Sequence, residues 1–374
     1  MKFTSPILHV LPFLIKENFA IFPTAALNSR HFQRLKKRAP ANIKRAQQRR
    51  SDILKRIANR LFLAFAFFFA FTVPVCAAQM LVPSGQLIGL ELQGDCVVVS
   101  AFDQSLPAAR EAGLRIGDEI LTIDGKVIES AADIRHALDR SDGSVDVVVS
   151  RDGKETSVRI APTVTSEGPR LGVYLRQGVT GIGTVTYYDP DTKAFGTLGH
   201  GVNDHRGDLL TMRKGLACPA GIVSVDRGKV GAPGQLRGSL STDRQLGSLS
   251  RNTARGVFGT IHGSLDGTAI PVGTAGCVTT GPATIRSTVD ASGPRDYSVE
   301  ILKIYPTDRS DGRNLLLKVT DPALLQTTGG IVQGMSGSPI IQDGKLIGAV
   351  THVLVNQPDT GYGIFIENML DAAA

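Results

Sequence analysis

From Leu171 onward the chain is a succession of short apolar runs broken by glycine-rich turns, and no other feature constrains its fold as strongly. The runs Leu171–Leu175, Gly181–Tyr187, Ala220–Val225, Gly256–Ile261, Ala283–Ser287, Tyr297–Ile304, Asn314–Val319, Ile347–Val355 and Gly361–Ile366 have strand length and almost no helical period. So many short strands expose many edges unless they close on themselves. The pattern therefore predicts an antiparallel barrel or a pair of barrels, with the chemistry carried on loops. The 41 glycines and 19 prolines supply the turns, and 374 residues leave room for two or three domains.

Within this region Gly334-Met335-Ser336-Gly337-Ser338-Pro339 stands between Ile331-Val332-Gln333 and Ile340-Ile341. A serine between glycines on a tight loop can be held with backbone N–H groups exposed beside it, and a Cβ at the glycines would obstruct their approach to a carbonyl. On that pattern Ser336 is a candidate nucleophile, and the amides of Gly334 and Ser336 a candidate oxyanion hole. A bare Gly-x-Ser-Gly is more often an ordinary turn, so the reading needs a base and an acid to orient it. His200, between Gly199 and Gly201 just past an apolar strand, is the best-placed base; His352 and His205 compete with it. Asp321 ends a strand near the serine and is the favoured acid. Asp204 and Asp208 are less favoured, because residues close behind a base in one loop seldom reach its other nitrogen.

The stretch before the barrels has a different organisation. Leu87–Leu92 and Cys96–Ser100 read as strands, Pro107–Ala112 as a short helix stopped by Gly113, Ala131–Leu138 as a second helix, and Val145–Val149 with Thr156–Ile160 as a hairpin turned at Asp152-Gly153. Ala109 to Gly125 contains the phrase Ala-Gly-Leu-Arg-x-Gly-Asp-x-Ile-Leu-x-Ile-Asp-Gly. This block resembles a bacterial PDZ domain, placed at 80–165. The resemblance implies a groove that takes an extended peptide at a sheet edge. By position it makes Ile88, Gly89 and Leu90 the loop that receives a terminal carboxylate, with the helix Ala131–Leu138 as the facing wall.

The formal net charge of +7 suggests nucleic-acid binding, but its distribution excludes that reading. Residues 1–60 hold 14 of the 41 Lys and Arg and only two acids, Glu17 and Asp52, which leaves 27 basic against 32 acidic groups in the remainder. The basicity is a local arm, and the first ~50 residues show no clear fold. It runs into Leu61–Ala78, uncharged and rich in Phe, which as a helix would be ~27 Å long and reach across most of a bilayer core. Cations on the N-terminal side predict a cytoplasmic arm and export of the chain beyond Ala78; Pro74 and Cys76-Ala77-Ala78 leave open a removable signal sequence. Cys76 lies in that segment. Cys96, Cys218 and Cys277 have no Cys-x-x-Cys spacing, so at most one disulfide and no metal site are expected.

Longer motifs make the second half more specific. Thr197-Leu198-Gly199-His200, Val319-Thr320-Asp321-Pro322, Gly330 to Val353, and Gly361 to Leu370 resemble the SpoIVB peptidase family of spore-forming bacteria. The likeness extends from the apolar segment through the PDZ module to a peptidase domain at 169–374. It implies a mainly β protein: an N-terminal membrane or signal helix, an α+β PDZ domain, and a chymotrypsin-like double β-barrel. It further implies a serine endopeptidase with Ser336, His200 and Asp321 as its triad and no cofactor. Its expected substrates are its own N-terminal region and a regulatory subunit of an intramembrane protease complex, cut outside the cytoplasm, in the forespore intermembrane space, to release sigma-K activity during sporulation. Two rivals remain: a membrane-tethered PDZ binding protein with an inactive protease-like domain, and a general quality-control protease.

Overall fold

The computed structural model of the chain describes residues 48–58, 60, 79–309 and 311–374. Residues 48–58 and 60 are helical. Among the described residues no helix is long and apolar enough to cross a membrane. The expected spanning or signal segment 61–78, and the basic arm before residue 48, lie outside the described residues.

The C-terminal part closes into a six-stranded antiparallel barrel, in the order Gly281–Ser287, Arg295–Ile304, Leu315–Val319, Gln357–Phe365, Lys345–Leu354, Pro339–Gln342 and back to the first. Inward and outward positions alternate along the strands, as period 2 requires. In Arg295–Ile304, Tyr297, Val299 and Ile301 point in while Ser298 and Glu300 point out. Register brings Ile285 opposite both Tyr297 and Ile340, which closes the ring, and Ile285, Ile340, Leu315 and Leu317 are fully buried at its centre.

A second circuit of six strands precedes it. Leu87–Phe102 pairs with Met212–Asp226, then come Gly247–Thr253, Gly256–Ile261, Ala194–Thr197 and Val173–Tyr188, which returns to Leu87–Phe102. Its core holds Ile88, Leu90, Leu92, Val185, Phe195 and Val257. The expected pair of barrels is therefore present, and closure leaves each without an open edge.

The PDZ module grows out of the first barrel. Leu87–Phe102 and Val173–Tyr188 are each 16 residues long and pair with one another along most of that length. Their halves nearer the barrel carry Leu87–Gln93 against Gly178–Thr184; the far halves carry Val98–Phe102 against Val173–Arg176. The far halves join Glu119–Ile123, Val145–Arg151 and Lys154–Ile160 over a separate core that includes Val97, Val99, Ile120, Val147 and Leu138. In the Arg-x-Gly-Asp phrase the acid is structural. Asp118, 1% exposed, takes Arg151 through two oxygens at 2.7 Å and accepts the Arg115 amide at 2.8 Å. Residues 80–93, read above as the start of the PDZ domain, belong to the first barrel and its flank, where Met80 and Leu81 also pair with Pro271 and Ile270. A boundary between 165 and 169 separates the two modules only in sequence, because two strands run through both.

Candidate active site

The loop Ile331–Ser338 is held by hydrogen bonds that fix its peptide planes one after another. Leu236 N donates to Gln333 O at 2.8 Å and Gln333 N to Gly234 O at 2.9 Å. Thr184 Oγ1 donates to Gly334 O at 2.8 Å, Thr184 N to Ser336 O at 3.1 Å, Ser338 N to Met335 O at 3.0 Å, and Thr186 Oγ1 to Gly337 O at 2.7 Å. Among the described residues no protein acceptor is bonded to the Gly334 or Ser336 amide. Gly337 has φ +96°, and a Cβ there would press into the Thr184 carbonyl and lie 2.6 Å from the Leu198 amide, so the close approach of the barrels requires glycine.

The histidine turn arrives from the other barrel. Ala194–Thr197 ends at two successive residues with positive φ, Leu198 at +68° and Gly199 at +70°, which turn the chain sharply. Leu198 is 6% exposed, so burial of its side chain compensates a backbone conformation that is costly for a residue with a Cβ. A Cβ on Gly199 would sit 2.9 Å from Thr351 Cγ2. That contact sets His200 beside Thr351 and His352 of the second barrel, with the two imidazole centroids 5.4 Å apart and tilted by 41°.

Ser336 and His200 open into one cleft of about 540 Å³ between the barrels, which His352 and Thr351 also line. Ser336 Oγ donates to Thr351 O at 2.9 Å. The His200 Nδ1 lies 2.9 Å from Gly201 O, which assigns the proton to Nδ1 and leaves Nε2 as an acceptor. Burial pushes the His200 pKa down, and the Gly201 carbonyl opposes the shift only in part. His352 is lowered to about 4, first by desolvation and then by the proximity of His200 and Arg313, against a weaker pull from Asp311. Both rings are neutral bases at pH 7.

Asp321 is not brought to this cluster. Its carboxylate caps the helix Pro322–Thr328, accepting Leu324 N at 3.0 Å and Ser298 N at 3.4 Å, and it does not line the cleft. The assignment of Asp321 as the residue that orients His200 is thereby corrected: the group bonded to Nδ1 is a backbone carbonyl. His205, Asp204 and Asp208 lie together on the loop after His200, where Arg206 reaches 3.7 Å from Glu119 of the PDZ module.

Ile88, Gly89 and Leu90 are corrected too. They are mid-strand residues paired on one side with Gly183, Ile182 and Gly181 and on the other with Pro219, Cys218 and Ala217, so no amide loop exists there. The PDZ groove, about 510 Å³, lies instead between the helix Ala131–Asp139 and the segment Leu171–Leu175. Ala131, Ile134, Arg135 and Leu138 of that helix line the groove. The loop at its end is Arg170-Leu171-Gly172, whose signal was an apolar-Gly-apolar pattern in Leu171-Gly172-Val173 identical in kind to Ile88-Gly89-Leu90. Thr184, Thr186 and Leu236, which hold the Ser336 loop from as far as 151 positions away in sequence, carried no local signal.

Among the described residues no group of three or more His, Cys, Asp or Glu could hold a metal ion, and Cys96, Cys218 and Cys277 are free thiols.

Comparison with known proteins gives two family matches: the SpoIVB peptidase S55 model over residues 167–370 and the PDZ model over 86–161. Proteins named "Putative zinc metalloprotease" from Bartonella henselae and Rhizobium meliloti are 31% identical over 98 residues and 34% identical over 87 residues. These segments cover 26% of this chain and 26% of the first relative, and 23% of each for the second, so the chain spans about a quarter of the length of these relatives. The inactive form of the Rv3671c protease is similar over 52% of this chain and 82% of that one, at 12% identity and a TM-score of 0.29. A likeness that distant says nothing about the site. The peptidase match, by contrast, takes in the His200 turn, the Thr184 strand and the Ser336 loop, and because it spans more than half of the sequence the chain belongs to the SpoIVB peptidase S55 family, with a PDZ domain ahead of the matched region.

Proposed function

We propose that Ser336 is the nucleophile of this peptidase, His200 its general base, and the amides of Gly334 and Ser336 its oxyanion hole. The observation that carries the reading is the orientation of two peptide planes. Across a trans peptide the N–H lies opposite the C=O. Gln333 O and Met335 O are tied back to Leu236 N and Ser338 N, so the amides of the residues that come after them, Gly334 and Ser336, face the other way and meet no protein acceptor among the described residues. Donors held in advance of the reaction stabilise a tetrahedral oxyanion without reorganising.

The chemistry rests on the proton positions. His200 donates through Nδ1 to Gly201 O and accepts through Nε2. Substrate draws the Ser336 hydroxyl from Thr351 O toward that lone pair, the oxygen attacks the peptide carbonyl, and the new imidazolium protonates the leaving amine. Water then releases the acyl group with His200 again as base. The Gly201 carbonyl fixes the tautomer but brings no full negative charge to the imidazolium, so stabilisation of the transition state rests more heavily on the two amides.

Family membership supports the finer reading: an endopeptidase of sporulation signalling, exported through segment 61–78, that trims its own N-terminal region and cuts a membrane-associated regulatory protein of an intramembrane protease complex to release processing of pro-sigma-K. The PDZ groove would direct that cut. Ser336→Ala tests the mechanism. Self-trimming and substrate cleavage should fall by about 10⁶ in rate with the fold retained, and labelling by a fluorophosphonate should vanish. Trimming that persists in the Ser336→Ala chain refutes it.

A further inference from the structure

We propose that the cleft selects an aliphatic, uncharged side chain at the residue whose carbonyl is attacked. This rests on Ser336 being the nucleophile. The two segments that flank Ser336 within the cleft are Ile331-Val332, just ahead of the oxyanion loop, and the stretch with Val353 and Val355, just after Thr351, whose carbonyl holds the Ser336 hydroxyl. A substrate residue seated at Ser336 must place its side chain between them. Among the described residues no Asp, Glu, Lys or Arg lines the cleft. Its titratable side chains are His200 and His352, both neutral at pH 7 because burial disfavours their charged forms.

A lysine or glutamate entering this wall would lose water and find no opposite charge, which is strongly unfavourable, whereas an aliphatic side chain gains from the same desolvation. Size is limited as well. Ile331 and Val332 are each 2% exposed and packed into the core of the second barrel, so they form a fixed apolar backing that cannot draw aside for a large aromatic side chain. Val355, by contrast, is 44% exposed and offers bare apolar surface at the rim. Leu90, Leu92, Ile182 and Leu198 of the first barrel line the same cleft and add no charge to it.

The test separates this inference from the reading beneath it. Full-length protein is labelled at Ser336 with a fluorophosphonate after incubation with peptide boronates that differ only in the side chain next to boron: valine, leucine, phenylalanine, lysine or glutamate. Valine and leucine should protect at concentrations at least about tenfold lower than lysine or glutamate, with phenylalanine between. Equal or better protection by lysine, glutamate or phenylalanine overturns the inference while leaving Ser336 as nucleophile, as does labelling that none of the boronates blocks. Absence of Ser336-dependent labelling overturns both. In Val355→Asp the lysine boronate should gain about tenfold relative to leucine, and Val355→Asn should leave the ranking unchanged. A ranking unmoved by the aspartate places the selecting surface elsewhere and also refutes the proposal.

Discussion

The hydroxyl of Thr184 offers the sharpest probe of how the proposed oxyanion hole is held. Thr184 is fully buried, its Oγ1 donates to Gly334 O at 2.8 Å, and its own carbonyl accepts from Thr197 Oγ1 at 2.6 Å. Thr184→Val exchanges the hydroxyl for a methyl of similar volume and leaves the backbone bond from Thr184 N to Ser336 O in place. The Gly334 carbonyl then becomes a part-buried acceptor without that donor, at a cost towards the lower end of about 1–3 kcal/mol. Gly334 O shares its peptide plane with Met335 N, which donates to Val332 O at 3.1 Å, so rotation of that peptide in search of a new partner would break this turn and displace the Gly334 and Ser336 amides on either side of it. Complete loss of such a donor costs about 10²–10³ in rate, so a partial displacement should lower kcat by about 10–10². KM should hardly change, because Gly334 O is engaged by Thr184 Oγ1 and not offered to a ligand, and Thr184→Ser, which keeps the hydroxyl, should recover most of the activity. The assay is steady-state hydrolysis of a fluorogenic peptide with active sites titrated by fluorophosphonate, alongside thermal unfolding. A Thr184→Val protein with kcat within about twofold of the parent and only a lowered Tm would show that the hydroxyl is structural alone, and failure of serine to rescue would refute the reasoning equally.

Further outcomes are expected elsewhere in the fold. Asp321→Ala should cost about 1–2 kcal/mol of stability through loss of the helix cap, and Asp321→Asn, which can still accept at the cap, should restore both stability and any lost activity; a carboxylate needed to orient His200 would not be replaced by the amide. Activity should persist below pH 6.5, because burial holds the His200 pKa down and the base stays neutral; a kcat/KM profile whose acid limb lies above 6.5 would contradict the site described. Stability should fall over the same direction of pH. His352 binds a proton in the unfolded chain below about 6.5 but in the folded one only near 4, so the unfolded state gains protons first, and denaturant titrations between these values should lose about 3 kcal/mol at most.

Much of this protein could be read from local pattern because the responsible forces are local. Alternating burial in Arg295–Ile304 and glycine turns specify strands wherever they occur. The Arg-x-Gly-Asp phrase marks a turn that needs its aspartate within a few residues and a single arginine, Arg151, across the sheet. The Ser336 loop, too, announces itself, since tight turns with exposed amides demand glycine at set positions. Even the role of Asp321 was present locally: Asp-Pro before Ala-Leu-Leu is a cap with proline next in the first turn of a helix. Its short distance from the serine along the chain does not carry its carboxylate into the cleft.

Other features depend on partners the chain cannot name in advance. Ile88-Gly89-Leu90 and Leu171-Gly172-Val173 carry the same pattern, yet the first is clamped between two strands and the second borders an open groove. The difference lies in which strands pair with them. Two long strands serve a barrel at one end and the PDZ sheet at the other, so no composition change marks the junction. His200 meets His352 and Thr351, and Thr184 meets Gly334, only because two closed barrels pack face to face. Strand and turn chemistry are settled by neighbours a few residues apart, whereas the site is assembled by closure and packing between segments up to 151 residues apart, where burial and hydrogen-bond satisfaction act on the whole fold at once.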